Sequence, residues 1–410
     1  NNNEKNYFVL SFIVFGLSFI AVYLLRYNTF INWTEPGLDQ AFYINLIQDL
    51  RSTSKFLPNY HDSFYSSILI DQNSFLHQFF LRLYNSPDLY FRSINILSFY
   101  FLSYIFGYGI DGFINTSIFI SLLSSIILFI FIQTKSHLSS KYKFFNILAL
   151  TIFFFLNSYM HFFSSLGTHN FSIFSLCLSM VILSTNFERN KSKLELNTIT
   201  IIFGILIPSL SHLLVALLIS LSISMLFLVN KKNFFINNLK NFFIFLITYL
   251  IIFLPFIFIM IVSGNLTKIL GFSGLIQVEQ IHTFPDLNTS YIVNIFNSLK
   301  DYLIQINTLF LPTGIILYFA SIVFFCFQKK SNLFLYFLFF HFLIYILIPG
   351  VSMSWERMIP YLFPITSLLV LNAYINLNRN LFILFSMVML IHLVLSCFFI
   401  SNLNNNLILN

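Results

Sequence analysis

Runs of roughly 20 apolar residues recur along this chain, separated by short polar connections. A helix of that length spans a bilayer core about 30 Å thick. In hydrocarbon every backbone N–H and C=O must be satisfied within the protein, so only helices or closed barrels can cross. Unbroken runs this long select helices. The chain is 58% hydrophobic and only 9% charged, too little polar surface to coat a soluble fold of 410 residues. The expected fold is an all-α polytopic membrane protein, a single transmembrane domain over 1–410.

The first run, "NYFVLSFIVFGLSFIAVYLL", has weak basic flanking and no small-residue cleavage site, so it reads as an uncleaved first helix. Cys177, Cys326 and Cys397 lie in apolar segments without CxxC pairing, which makes them expected buried spectators, neither a disulfide framework nor a metal site. No Walker A, GxGxxG or HExxH pattern occurs. The net charge of +7 therefore speaks to topology before it speaks to any nucleic-acid partner, and none is expected.

Basic clusters set the topology. Lys135/Lys141/Lys143, Arg189/Lys191/Lys193, Lys231/Lys232/Lys240 and Lys329/Lys330 belong to the cytoplasm by the positive-inside rule. With the amino terminus cytoplasmic, 7–25 crosses outward and 26–112 forms a long outer loop. The run 113–133 then returns. Within that loop 89–107 is apolar enough to span, but a crossing there would invert every later loop. It is therefore expected to be interfacial or re-entrant, with Arg92 and a Tyr/Phe belt at headgroup depth. The run from Thr198 to Val229 has basic flanks on both sides and must cross an even number of times. Two short helices are expected, with an outer tip at "PSLSH" and Pro208 as breaker. Further outward crossings fall near 145–162, 239–262, 333–348 and 380–400, inward ones near 170–185, 303–327 and 359–376. The total is eleven spans. The inside then carries 13 of the 21 Lys/Arg and only 3 of the 14 Asp/Glu. Acidic residues gather outside, mostly in 26–112, although the rule used to assign sides says little about acids.

Several stretches resemble a known family in their order. An early Asp precedes an aromatic-rich helix in "GLDQAFYINLIQDL", followed by a proline-led juxtamembrane helix, "NSPDLYFRSINILSFYFLSYIFGYG". A span ending in a basic loop, "SIFISLLSSIILFIFIQTK", comes next, and "SWERMIPYLFPITSLLV" lies late in the chain. This order resembles the GT-C membrane glycosyltransferases that use polyprenyl-phosphate sugars, particularly the protein mannosyltransferase and lipid A aminoarabinose transferase branch. The resemblance implies a GT-C-like bundle of about 11 transmembrane helices with interfacial juxtamembrane helices in the first outer loop. It also implies an inverting transfer at the extracytoplasmic face of the cell or inner membrane. The donor would be a polyprenyl-phosphate sugar and the acceptor a lipid, glycan or protein.

Such a transfer needs a base for the acceptor hydroxyl and positive groups for the departing phosphate. The resemblance makes Asp39 that base. Asp after "EPGL" is also a good helix N-cap, though Phe42 denies it a capping box. Glu35 is a secondary candidate or a solvated loop charge. Arg357, beside Trp355 and Glu356, suits a lipid phosphate through two hydrogen bonds, or equally snorkels at the interface. Arg92 and Arg82 are weaker candidates of the same kind. Six histidines (His61, His77, His161, His169, His212 and His282) map to the outside or to outer helix ends. His169 in "GTHN" and His212 in "LSH" sit at short outer turns, where they can approach each other and line a polar cavity, as contacts for substrate or phosphate or as plain interface polar residues. No cofactor is implied, and a zinc or other divalent ion lacks support from paired His/Cys spacing. His341 and His392 lie mid-span, open to a functional role or to helix-to-helix hydrogen bonding. The outer loop 263–300 holds Glu279, His282 and Asp286; the resemblance implies that it helps cover the acceptor site, while its residues alone read as a flexible Gly-containing outer loop. Two other readings stand beside the transferase: a polysaccharide polymerase or O-antigen ligase, expected to carry Arg-rich outer loops, and a lipid-linked-substrate flippase, expected to show repeats and paired mid-membrane charges.

Overall fold

The computed structural model describes residues 2–30, 38–52, 91–135, 138–157, 160, 167–190, 194–229, 237–262, 291–327, 333–347 and 359–408. Among these the fold is all helical. The helices are α1 (Asn2–Phe30), α2 (Leu38–Ser52), α3 (Ser93–Phe106), α4 (Ile110–Gln133), α5 (Ser140–Leu150, continued by a π-turn Thr151–Phe155) and α6 (Asn170–Arg189). There follow α7 (Thr198–Ser209, with a π-segment Ile202–Leu206), α8 (Leu213–Val229), α9 (Asn237–Val262) and α10 (Tyr291–Phe327). The last are α11 (Leu333–Leu347), α12 (Leu362–Ile375, entered through a tight turn Ile359–Tyr361) and α13 (Arg379–Ile408). Five of them, α1, α4, α6, α9 and α13, are long and apolar enough by length and composition to cross a membrane; the other apolar helical stretches, including Thr313–Phe324 within α10, are shorter.

Contacts fix how these helices run. Tyr23 bonds Asn115 (2.7 Å) while Phe12 packs on Phe129, so α1 and α4 are antiparallel. Tyr7 meets Phe144, and Phe15 and Phe19 meet Phe155, so α1 and α5 run together. Asn170 pairs with Ser117, Cys177 with Ser124 and Glu188 with Lys135, which makes α4 and α6 parallel neighbours. Two-thirds of the α4 and α6 windows are buried (67% each) against 11% of α1, so this pair forms the centre and α1 the rim. The end at which α1 finishes and α4 begins is called distal below. The proximal end holds the Lys135–Glu188 ion pair (2.5 Å). Both ends of α3 lie distally: Ile94 N–H donates to Leu210 C=O (3.3 Å), and Gly107–Gly109 lead straight into α4. Thus α3 does not traverse the bundle, in keeping with the interfacial or re-entrant expectation for 89–107.

The run Thr198–Val229 does fold back on itself, but its tip is not an exposed outer turn. Ser209, Ser211 and His212 are all buried, because α7 has 12 residues and reaches only about 18 Å. The break comes at Leu210–His212, two residues past Pro208, which itself remains helical. Pro208 still acts on the backbone, since it has no N–H to return to the Gly204 carbonyl. Ser179 Oγ donates to that carbonyl instead (2.5 Å). Ser172 Oγ donates to Ser211 C=O (2.9 Å), Ser175 shares a hydroxyl bond with Ser211 (2.6 Å), and Asn186 donates to Glu195 C=O (2.8 Å) and Thr200 Oγ1 (2.9 Å). One polar stripe of α6 thus supports a broken helix where water cannot.

Other departures have similarly local causes. α1 runs to Phe30, so Arg26 is a fully buried helical residue instead of the start of a loop. α10 begins at Tyr291, inside the expected outer loop 263–300, and bends at Leu311 (φ 57, ψ 165), where Pro312 bars the preceding residue from helical geometry. Cys177 is buried, but Cys326 and Cys397 face outward from α10 and α13, which present an apolar surface on that side. His341 Nδ1 meets Tyr302 OH (3.4 Å) and His392 Nδ1 meets Thr313 Oγ1 (3.0 Å), both bridges between helices.

The Ser179–Gly204 bond gives a test. Ser179→Ala is expected to cost about 0.5–1.5 kcal/mol in unfolding assays in micelles. Pro208→Ala restores the missing N–H, so in that background the Ser179→Ala penalty should shrink toward zero.

Candidate functional site

At the distal end, three connections that look unrelated in sequence converge: the turn before α6, the break between α7 and α8, and the turn entering α12. The rings of His169 and His212 meet edge to face with centroids 4.9 Å apart. Tyr361 closes the group, 5.3 Å from His212 and 6.3 Å from His169. All three side chains are buried. The approach of His169 to His212 expected from their outer turns is present. The structure adds Tyr361, from the "ERMIPYLFPI" stretch, which residue-by-residue reasoning passed over.

His212 has a defined role in holding its own ring. Its Nδ1 accepts the Leu214 N–H (3.1 Å), capping the first turn of α8. A neutral ring in that position carries its proton on Nε2. Around the rings lie hydroxyls from α6 and the α7–α8 break, namely Ser172, Ser175 and Ser211. Arg92 lies within electrostatic reach of Tyr361 and is half-buried beside α3. Positive charge, imidazoles and hydroxyls therefore share one enclosed corner, a set able to hold phosphate or sugar hydroxyls and to exchange protons.

Helices α2 and α3 cover this corner, and one side chain docks them. Asn95, fully buried, spends both amide hydrogens: one on Tyr43 OH (2.8 Å) in α2, the other on Thr168 C=O (2.6 Å), next to His169. Its Oδ1 meets no donor among the described residues. Tyr43 packs edge to face on Phe99, which stacks on Phe113 of α4. Asp39 lies in the first turn of α2, one turn before Tyr43. The structure thus brings the α2 backbone at Asp39 to the same end as His169, His212, Tyr361 and Arg92, while the Asp39 side chain lies outside the described residues. So do Glu35, Arg357, Arg82, Glu279, Asp286 and the other outer histidines His61, His77, His161 and His282. Arg357 precedes Tyr361 by four residues in the chain. Among the described residues no group of three or more His, Cys, Asp or Glu converges as a metal site.

Arg26 is a further polar feature at depth. It is 1% exposed, donates to Ser121 Oγ (3.2 Å) and to the Phe155 carbonyl (3.2 Å), and its Nε meets no acceptor among the described residues. Phe155 ends the π-turn of α5, so the guanidinium caps a helix terminus. Comparisons of the chain with family models, curated proteins and solved structures returned no match.

Replacing Asn95 with Leu removes its bonds to the buried Tyr43 hydroxyl and to the Thr168 carbonyl, at a cost of about 1–3 kcal/mol. The expected outcome is a lower Tm in detergent together with faster tryptic cleavage after Arg51, at the end of the undocked α2. Unchanged cleavage would mean that Asn95 does not hold α2 in place.

Proposed function

We propose that this chain is an integral membrane glycosyltransferase of GT-C type, with eleven crossings, acting at the extracytoplasmic face. The donor is a polyprenyl-phosphate sugar, and the acceptor hydroxyl belongs to a lipid, glycan or protein. Asp39 takes the acceptor proton as the sugar inverts, while Arg357 and Arg92 hold the phosphate that leaves. His169, His212 and Tyr361 form the polar floor beneath.

The observation that carries this reading is the Tyr43–Asn95–Thr168 bridge, which joins the helix beginning near Asp39 to the turn carrying His169. A base one turn from Tyr43 and a cationic, imidazole-lined corner beneath it are the two halves such a transfer needs. The crossing number has separate support. α1 and α5 run distally while α4 and α6 run proximally; α7 runs against α6. α8 and α9 are antiparallel, with Ala216 meeting Tyr249 and Phe227 meeting Phe242. α12 starts beside His212, and α13 sets out from the level of Tyr142, where Phe382 packs. These directions agree with alternating crossings in the order that the basic clusters require. The proximal end then faces the cytoplasm, and the distal end faces outward.

The test is transfer of radiolabelled sugar from polyprenyl-phosphate donors in membranes. Asp39→Asn should lower transfer by about 10²-fold or more at unchanged protein level, and Arg357→Gln should raise the donor KM. Full transfer by Asp39→Asn would remove this mechanism.

A further inference from the structure

A second polar feature of the distal end lies where the last turn of α2 meets the last turn of α3, two helical turns along α3 from Asn95. Arg51, in the last turn of α2, donates through one guanidinium nitrogen to Ser103 C=O (2.6 Å) and Ser103 Oγ (3.4 Å). Its guanidinium carbon lies 4.2 Å from the Tyr104 ring centroid and 5.0 Å from that of Tyr108. The Tyr104 and Tyr100 hydroxyls bond each other (2.7 Å). Among the described residues no carboxylate pairs with Arg51, the ion pair there being Lys135–Glu188. A half-buried guanidinium between two aromatic faces, with donors remaining and no counter-charge among the described residues, is a site for an anion.

The surrounding surface says which anion. Beside the tyrosines, α3 turns outward Phe101 (62% exposed) and Ile105 (74%), while Tyr104 and Tyr108 are themselves more than half exposed. Its opposite face, with Asn95, Ile96, Phe99 and Ser103, is buried against the bundle. On a helix, Phe101 and Ile105 lie one turn apart in a stripe adjacent to that of Tyr100 and Tyr104. Phenols and a cation along one edge, bare hydrocarbon along the next, form the profile of a helix at a bilayer interface. A soluble anion or a sugar would use the polar edge and leave the apolar one in water.

We infer that α3 lies in the outer interface with Arg51 and the Tyr104/Tyr108 rings holding the phosphate headgroup of an anionic membrane phospholipid, whose acyl chains cover Phe101 and Ile105. This site is separate from the histidine corner and does not rest on the transferase reading. It would anchor the α2–α3 pair at a fixed depth.

A reporter on the apolar edge tests it. The chain has two tryptophans, Trp33 and Trp355; in a Trp33→Phe/Trp355→Phe background, Ile105→Trp supplies a single fluorophore. The protein is reconstituted with dibrominated phosphatidylglycerol or dibrominated phosphatidylcholine, and quenching gives the relative association of the two lipids. The expected result is strong quenching with about a fivefold preference for the anionic lipid, reduced in 0.5 M salt and abolished by Arg51→Gln. Arg51→Lys should retain part of it. Equal quenching by both lipids with Arg51 intact would overturn the headgroup site. Weak quenching by both would overturn the interfacial placement of α3.

Discussion

The Gly204 carbonyl, left without an α-helical partner by Pro208, is where the architecture of this protein is decided. In water such a group hydrates at little cost; in hydrocarbon it must find a donor within the fold. Ser179 supplies one, and Ser172, Ser175 and Asn186 supply the rest of the stripe along α6. That support lets α7 stop short and turn back while still deep in the bundle. His212 is consequently delivered to His169 at the start of α6 itself. Without the stripe, a continuous Thr198–Val229 helix would carry His212 past the corner where it now sits.

The same economy recurs at other irregular points. Arg26 takes the terminal carbonyl of the π-turn in α5, and Asn95 takes the carbonyl before His169 while holding Tyr43. These irregularities are met by polar side chains from neighbouring helices, and several of them lie toward the distal end. The proximal end is built differently, from the Lys135–Glu188 ion pair and the connection 194–197 held by Asn186 and Asn241. An end with broken helices, imidazoles and a docked pair of short helices is suited to hold a ligand. The opposite end is suited to hold a topology.

Much of this was legible in the residues. The basic clusters predicted helix directions that the packing of α1, α4, α5 and α6 agrees with. "PSLSH" marked the reversal, and "GTHN" and "LSH" marked two imidazoles that do meet. What was not legible depends on partners distant in sequence. Nothing around Asn95 announces that it joins Tyr43 to Thr168, because the pairing exists only once α2 lies on α3. Arg26 looked like a loop residue, since a charge commonly ends an apolar run and its partners lie about a hundred residues away. The serines of α6 were the missed signal: polar residues at 172, 175 and 179 share one face of an apolar helix, and such a stripe implies something polar opposite. The exposure of Cys326 and Cys397 was missed because an apolar environment in a membrane is as often lipid as protein interior.

The central claim is that donor and acceptor meet at the distal corner beneath α2 and α3. A polyprenyl-phosphate sugar carrying a photoreactive group near the phosphate, cross-linked in membranes and mapped by mass spectrometry, tests it directly. The account predicts attachment within 38–52, 91–106, 167–175 or 208–214. Attachment confined to the proximal end, around Lys135, Lys141 and Glu188, would contradict it.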